Sequence, residues 1–268
     1  MFFSNFEEVV SPFKLGIPVH SMSNNGCKKF NDMKLKKIGL VGGISWVSTM
    51  DYYQFINEGI NRQLGGLQYA ECIIYSLNFG DIQEKTWENS YDLLLNACKS
   101  LQRSGAEAIV LCANTAHLFA DRLEKEIQLP FIHIVTETAK KINSSGLTTV
   151  GLLGTIFTME MDFYRKKLES FGIRVLTPEL KETREYVQLT VKEELGRGIV
   201  LQETKERYMD IVDDLLQRGA QGLILGCTEI PLLLNQADFS IPVFDTTKIH
   251  SEAIVEYALS SYDQKQLL

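Results

Sequence analysis

The sequence predicts an α/β protein built from two pseudo-symmetric α/β domains with mainly parallel sheets, its site lying in the cleft between them. Three observations carry this reading. Short β-rich runs alternate with helical patterns, the order that builds βα units on parallel sheets. The run IGLVGG at 38–43 returns as VGLLGT at 150–155, and SGAEAIVLCANT at 104–115 returns as RGAQGLILGCTE at 218–229. The spacing is also kept: Cys112 lies 73 residues after Gly39, and Cys227 lies 76 after Gly151. Landmarks repeated in one order over so long a period mark a duplicated unit.

The elements follow in order. Residues 1–35 hold Pro12, Pro18, Ser21, Ser23, Asn24, Asn25 and Gly26 without periodicity, and read as a poorly ordered extension. Regular structure is expected just after Met33. Strands are expected at 37–41, 71–76, 108–111, 131–134, 149–153, 174–176, 222–225 and 243–244, from short apolar, β-branched runs bounded by turn residues. Apolar 3–4 spacing predicts helices over 46–64, 90–104, 116–126, 157–171, 184–197 and 203–218. Tyr53 in MDYY pairs with Tyr164 in MDFY across the repeat. Residues 36–145 form the first domain, 246–268 return to it as a terminal helix, and 146–245 form the second.

Composition removes several classes of function. The 268 residues carry 27 basic against 34 acidic side chains, a net charge of −7. Duplex binding needs a basic face to replace counterions, so nucleic acid is not expected as a partner. Apolar runs of about five to eight residues fall short of the ~18 that span a bilayer, so no membrane association is expected. The opening MFFSNFEEVV has Glu7 and Glu8 where a signal peptide would place positive charge. Five scattered cysteines, with no C-x-x-C pair, suit a cytoplasmic location, and the four histidines show no metal spacing.

Candidate chemistry gathers at two strand ends. Ligands of open α/β sheets sit at the carboxyl ends of strands, where loops and helix starts supply N–H groups. Cys112 and Cys227 each end a strand there and are followed by polar residues, Asn114-Thr115 and Thr228-Glu229. Facing halves would present both thiols to one cleft. The plainer alternative is a pair of packed core cysteines, since free cysteine is often buried. Packing suffices for Cys27, Cys72 and Cys98, while His117 either polarises the first cysteine loop or caps and packs. The turn Gly39-x-x-Gly42-Gly43 lacks the dinucleotide pattern, and no acidic residue follows the second strand until Asp81. Such a turn can hold a small anion such as a carboxylate, with Ser45, Thr155 and Thr158 adding hydroxyls.

IGLVGGISWVST at 38–49, LCANTAH at 111–117, VGLLGTIFTMEMDFY at 150–164, GCTEI at 226–230 and IPVFDTTKIH at 241–250 resemble the cofactor-independent aspartate/glutamate racemase family. The GGISW form is most similar to its broad-specificity amino-acid racemase branch. The resemblance spans roughly 36–260 and implies a homodimer acting on amino acids, with racemisation at Cα by Cys112 and Cys227 and no cofactor or metal. Inversion needs a base on one face of Cα and an acid on the other, roles that thiolate and thiol can exchange. A strand-end, helix-start position is expected to lower a thiol from ~8.5 toward neutrality. By resemblance the α-carboxylate falls to Ser45, Asn114, Thr115 and Thr228, with the amides around them including Gly43 and Ile44. Glu229 stands where glutamate racemases tend to carry His, as on the aspartate side of the family. Gln83 and Arg197, thirty residues before Cys227, take the two positions that are basic in aspartate racemases. Arg197 reads equally as a solvated helix-end side chain. Two alternatives stay open: a single-cysteine relative acting as decarboxylase or cis–trans isomerase, and a non-catalytic protein binding a small carboxylate.

Overall fold

The computed structural model describes residues 34–261; the expectations for the extension, for Cys27 and for 262–268 lie outside them. The chain runs β1 (Ile38–Gly42), α1 (Trp46–Leu64), β2 (Cys72–Ser76), α2 (Phe79–Lys85), α3 (Tyr91–Arg103), β3 (Ala108–Leu111), α4 (Ala120–Ile127) and α5 (Ile134–Ser144). It continues through β4 (Thr149–Gly154), α6 (Ile156–Glu160), α7 (Asp162–Glu169), β5 (Arg174–Leu176), α8 (Lys181–Glu193), α9 (Gln202–Gln217), β6 (Leu223–Gly226), β7 (Val243–Asp245) and α10 (Thr246–Leu259). Two wholly parallel sheets result, ordered β2-β1-β3 and β5-β4-β6-β7. β1 and β4, the two Gly-rich strands of the repeat, hold the same place in their sheets.

Both sheets are covered on both faces, as parallel sheets require. One face of the first sheet packs Val41, Ile109 and Leu111 against α3 and α4; its other face packs Ile38, Leu40 and Val110 against α1 and α10. Leu153, Leu223 and Leu225 of the second sheet meet α8 and α9, while Val150, Leu152 and Ile224 meet α5 and α7. Each of these fully buried aliphatic side chains contributes about 1.5–3 kcal/mol. The helices at the two crossings are exchanged. α5 leaves the first half and packs on the second sheet, whereas α10 leaves the second half and packs on the first.

Gly43 requires its residue type. Its φ is +82°, and a Cβ would lie 2.1 Å from the carbonyl oxygen of Leu77. The turn therefore folds tightly onto the end of β2, and Leu77 N–H donates to Gly42 O at 2.9 Å.

Several expected elements differ. The run 131–134 makes a single parallel bridge, Ile109 to Phe131, and does not form a strand. Pro130 brings no N–H to a ladder, and from Ile134 the backbone turns into α5, where His133 Nδ1 accepts from Val135 N–H. The spacing of Ile134, Val135, Thr138, Ala139 and Ile142 is helical, but the short apolar run FIHIV hides it. The helix expected at 157–171 is broken by extended backbone at Met161, and the one at 116–126 begins as a 3₁₀ turn, Thr115–Phe119. That at 184–197 starts earlier, at Lys181, and ends in a 3₁₀ turn, Leu195–Arg197. The partner of Tyr164 is Tyr52, not Tyr53: both lie ten residues after the second glycine and are fully buried, while Tyr53 is exposed.

Candidate active site

Each cysteine sits just past the carboxyl end of a strand adjoining the central one. Cys112 follows β3, and its N–H donates to Val41 O at 2.9 Å, which continues the ladder to β1. Cys227 follows β6. Both thiols are almost wholly buried.

The loop beyond Cys112 is tied by side chains to the strand that leads into Cys227. Asn114 Nδ2 donates to Thr246 Oγ1 at 3.1 Å, and Thr246 Oγ1 donates to Leu225 O at 2.9 Å. Two hydrogen bonds thus run from the residue two after Cys112 to the residue two before Cys227. Tyr164 OH donates to the other end of the same amide, Asn114 Oδ1, at 3.2 Å.

Two further links cross between the halves, and they are pseudo-symmetric. Ser45 caps α1 by accepting from Ser48 N–H, and Ser48 Oγ lies 2.6 Å from Thr228 Oγ1 of the second cysteine loop. Thr155 caps α6 by accepting from Thr158 N–H, and its Oγ1 lies 3.1 Å from Thr115 Oγ1 of the first loop. Thr158 Oγ1 completes that cluster at 3.1 Å from Thr155 Oγ1. Each Gly-rich turn therefore braces the cysteine loop of the opposite half.

Charge around Cys227 is one-sided. Its Sγ–H donates to Glu229 Oε2 at 2.9 Å, and Thr228 Oγ1 donates to the same oxygen at 2.7 Å. Because the Thr228 hydrogen is spent on Glu229, Ser48 is the donor in the adjoining bond. Burial, with Glu229 and Asp245 nearby, raises the Asp51 carboxyl above its ordinary value.

The expectation of thiols lowered toward neutrality is corrected. Burial raises both well above the ordinary value; Cys72 adds to the rise at Cys112, and the Glu229 carboxylate adds to it at Cys227. Backbone N–H groups of Thr228 and Glu229 oppose the rise at Cys227 without reversing it. No α-helix starts immediately after Cys112, and among the described residues no basic side chain counters the burial of either thiol. Cys72 and Cys98 are likewise raised by burial, to about 11 and about 12, as packed thiols are.

His117 has both ring nitrogens committed to backbone. Nε2 accepts from Ile134 N–H at 3.2 Å, which leaves Nδ1–H to donate to Ala113 O at 2.9 Å. It braces the first cysteine loop. His250 Nε2 meets Ile132 O at 2.7 Å, so its Nδ1 accepts from Tyr52 OH at 2.8 Å. With His133 these rings form one cluster of edge-on and tilted contacts.

The remaining expected residues fall into two sets. Gly43, Ile44 and Ser45 lie in the turn after β1, but the Gly43 N–H is occupied by Thr49 Oγ1 at 2.9 Å. Gln83 is exposed on α2, and Arg197 is exposed in its 3₁₀ turn, where it pairs with Glu193. No hydrogen bond or ion pair among the described residues joins either of them to the cysteine loops. Ser48, Asp51, Tyr164 and Thr246 were not expected as site residues. Only the placing of Ser48 one turn after Ser45 and of Thr246 within the FDTTKIH run could have pointed to them. A groove of about 380 Å³ lies between α1 and α10, lined by residues that include Arg62, Lys248 and Ser251; no cysteine-loop residue lines it. Among the described residues no group of three or more His, Cys, Asp or Glu is set to hold a metal, and no helix is long and apolar enough to cross a membrane.

Known proteins are similar to this chain in sequence and fold. The model of the Asp/Glu/hydantoin racemase family matches residues 41–254. The broad specificity amino-acid racemase RacX of Bacillus subtilis (strain 168) is 22% identical over 231 residues, covering 83% of this chain and 98% of its own. A crystal structure described as a candidate Asp/Glu racemase from Yersinia pestis is 46% identical with a TM-score of 0.79, over 84% of this chain and 100% of that one. An aspartate racemase homologue from Pyrococcus horikoshii OT3 is 39% identical with a TM-score of 0.74, over 84% and 99%. With a family model matched over most of its length and both cysteine loops inside the match, the chain belongs to the Asp/Glu/hydantoin racemase family.

Proposed function

We propose that the protein is a cofactor-independent amino-acid racemase in which Cys112 and Cys227 work from opposite faces of Cα. The observation that carries this reading is the Asn114–Thr246–Leu225 relay, which ties the first cysteine loop to the strand that ends at Cys227. One sulfur, as thiolate, removes the α-proton; the other, as thiol, returns a proton from the far side. The carbanion gains from donors on the carboxylate. Those donors are assigned to the hydroxyls of Ser45, Thr115, Thr155, Thr158 and Thr228, the Asn114 amide and the amide of Ile44; Gly43 would have to release Thr49, and Thr228 would have to release Glu229. The substrate's ammonium group is suited to the acidic side made by Asp51, Glu229 and Asp245, and its charge would ease ionisation of a buried thiol.

Gln83 and Arg197 are assigned to the distal end of the substrate, for which Arg197 would have to leave Glu193. The proposed domains follow the repeat, 36–145 with 246–268 and 146–245, with α5 lent to the second sheet. Incubation with each L- and D-amino acid in deuterium oxide, without pyridoxal phosphate, is expected to give inversion together with α-deuteration for at least one pair. If no amino acid is inverted, the reading fails.

The working unit is proposed to be a cytoplasmic homodimer without nucleic acid or membrane. Trp46, Val47, Met50 and Tyr53 support the dimer: they form an exposed apolar face on α1, with Trp46 72% exposed. Sedimentation is expected to show a two-chain species that Trp46→Glu shifts to one chain. A single-chain species at micromolar wild-type protein would remove the dimer.

A further inference from the structure

The two thiols are not equivalent, although the repeat places them alike. Cys227 donates to a carboxylate 2.9 Å away, whereas no hydrogen bond among the described residues ends on Cys112 Sγ. We infer that Glu229 fixes the order in which the two thiols lose their protons, holding Cys227 as the acid of the resting site and leaving Cys112 to become the first base. This rests on the racemase reading for its consequences, though not for its test.

The physical reason is repulsion. A thiolate on Cys227 would sit against an anionic oxygen at hydrogen-bond distance, while the thiol turns the same contact into a charge-assisted bond. Among the described residues no basic group faces Glu229 or Cys227: Asp51 from α1 lies near Glu229 and Tyr208 from α9 near Cys227, while Asp245, at the end of β7, lies near Asp51 and Tyr52. Around Cys112 stand Cys72 and Tyr52, which are neutral when protonated. Thr228 and Ser48 keep the carboxylate turned to the sulfur, so Glu229 is a positioning residue acting through Cys227.

The proton count over one turnover closes. The Cys112 thiolate takes the α-proton from one face and becomes a thiol, while the Cys227 S–H bond breaks and its proton goes to the opposite face. This leaves a thiolate beside the Glu229 carboxylate. Their repulsion draws a proton from solvent onto Cys227 Sγ while Cys112 releases one to solvent, and the reactive form that began the turnover returns. Racemisation has an equilibrium constant of one, so kcat/KM must be equal in the two directions in every variant. The inequality of the thiols therefore shows in KM and kcat separately: the enantiomer whose α-proton faces Cys112 meets the more populated of the two thiolate forms and has the lower KM.

The test follows each thiol by pH-dependent alkylation with iodoacetamide, resolved by peptide mass spectrometry, with the S–H stretching band in Raman spectra as a readout that needs no access. Cys112 is expected to ionise at least one pH unit below Cys227. Glu229→Gln is expected to bring Cys227 down by at least one unit, tenfold more thiolate at a given pH, with Cys112 unmoved; Glu229→Asp should keep most of the wild-type order. The wild-type minus Cys227→Ser Raman difference should show a strongly hydrogen-bonded S–H even if Glu229→Gln does not fold. For any pair that is racemised, Glu229→Gln should change the ratio of the two KM values at least threefold. The inference is overturned if the two wild-type thiols titrate together, if Glu229→Gln leaves Cys227 where it was, or if the Raman band is that of a free thiol. Thiols that titrate in the stated order in a protein that inverts no amino acid would instead count against the racemase reading alone.

Discussion

Replacing Cys112 by Ser is expected to lower racemisation in both directions by a factor of 10³ or more, a barrier increase of about 4 kcal/mol at ~1.4 kcal/mol per decade. The loss falls on both directions because inversion uses one sulfur as base and the other as acid whichever enantiomer is bound. Exchange of the α-proton should separate the two roles. Cys112→Ser keeps a thiol at Cys227 and should still exchange, weakly, the enantiomer whose proton faces that side. Cys227→Ser should exchange only the other, and the double substitution neither. Both sulfurs are buried in core clusters. A hydroxyl without a partner at Cys112 costs about 1–3 kcal/mol, so Cys112→Ala with unchanged circular dichroism serves as the folding control. Racemisation by Cys112→Ser at the wild-type rate would remove the two-base assignment and restore the single-cysteine alternatives.

Mild acid is expected to destabilise the fold well above the range where carboxylates titrate. Burial lowers His133 and His250 to about 3 and holds His117 well below its ordinary value. The unfolded chain takes up protons on these side chains near 6.5, and the folded chain does not. The unfolded state therefore binds more protons below pH 6.5, and stability falls as pH drops through that value toward about 3. Each ring contributes a slope of up to about 1.4 kcal/mol per pH unit. Between pH 6.5 and 5, His133 and His250 together account for about 3 kcal/mol, a large part of a typical domain stability of 5–15 kcal/mol. The physical cost is that a second ring proton would displace an accepted bond: Tyr52 OH on His250 Nδ1, Ile134 N–H on His117 Nε2. Urea midpoints between pH 7 and 5 measure it. Gln at 250 offers one donor and one acceptor without titrating, so His250→Gln should flatten the slope by roughly one ring's share. A wild-type midpoint unchanged from pH 7 to 5 would contradict the argument.

Much of the fold was legible because it is written in local patterns. The helix at 46–64 and the strands at 108–111 and 174–176 have the bounds their spacing predicts, and the repeat placed β1 and β4 alike. Misreadings fell where two patterns overlap. FIHIV is short and apolar enough for a strand, yet its last two residues open a helix whose polar face comes later. MDYY holds two tyrosines, and only burial shows that Tyr52 is the one repeated. Arg197 pairs with Glu193 four residues away along the chain, and its place at the substrate stays a proposal.

By itself the sequence determined the α/β class, the duplication and the two strand-end cysteines, because each is a matter of periodicity or of residues adjacent in the chain. Tertiary structure alone decided which residues brace those cysteines. Ser48 meets Thr228 across 180 residues and Asn114 meets Thr246 across 132, and no local pattern encodes a hydrogen bond between positions so far apart. It also decided the state of the thiols. Strand-end placement pointed to lowered values, but desolvation depends on how completely the packed helices cover each sulfur, α1 and α10 at Cys112 and α8 and α9 at Cys227, and that covering exists only once each core has packed.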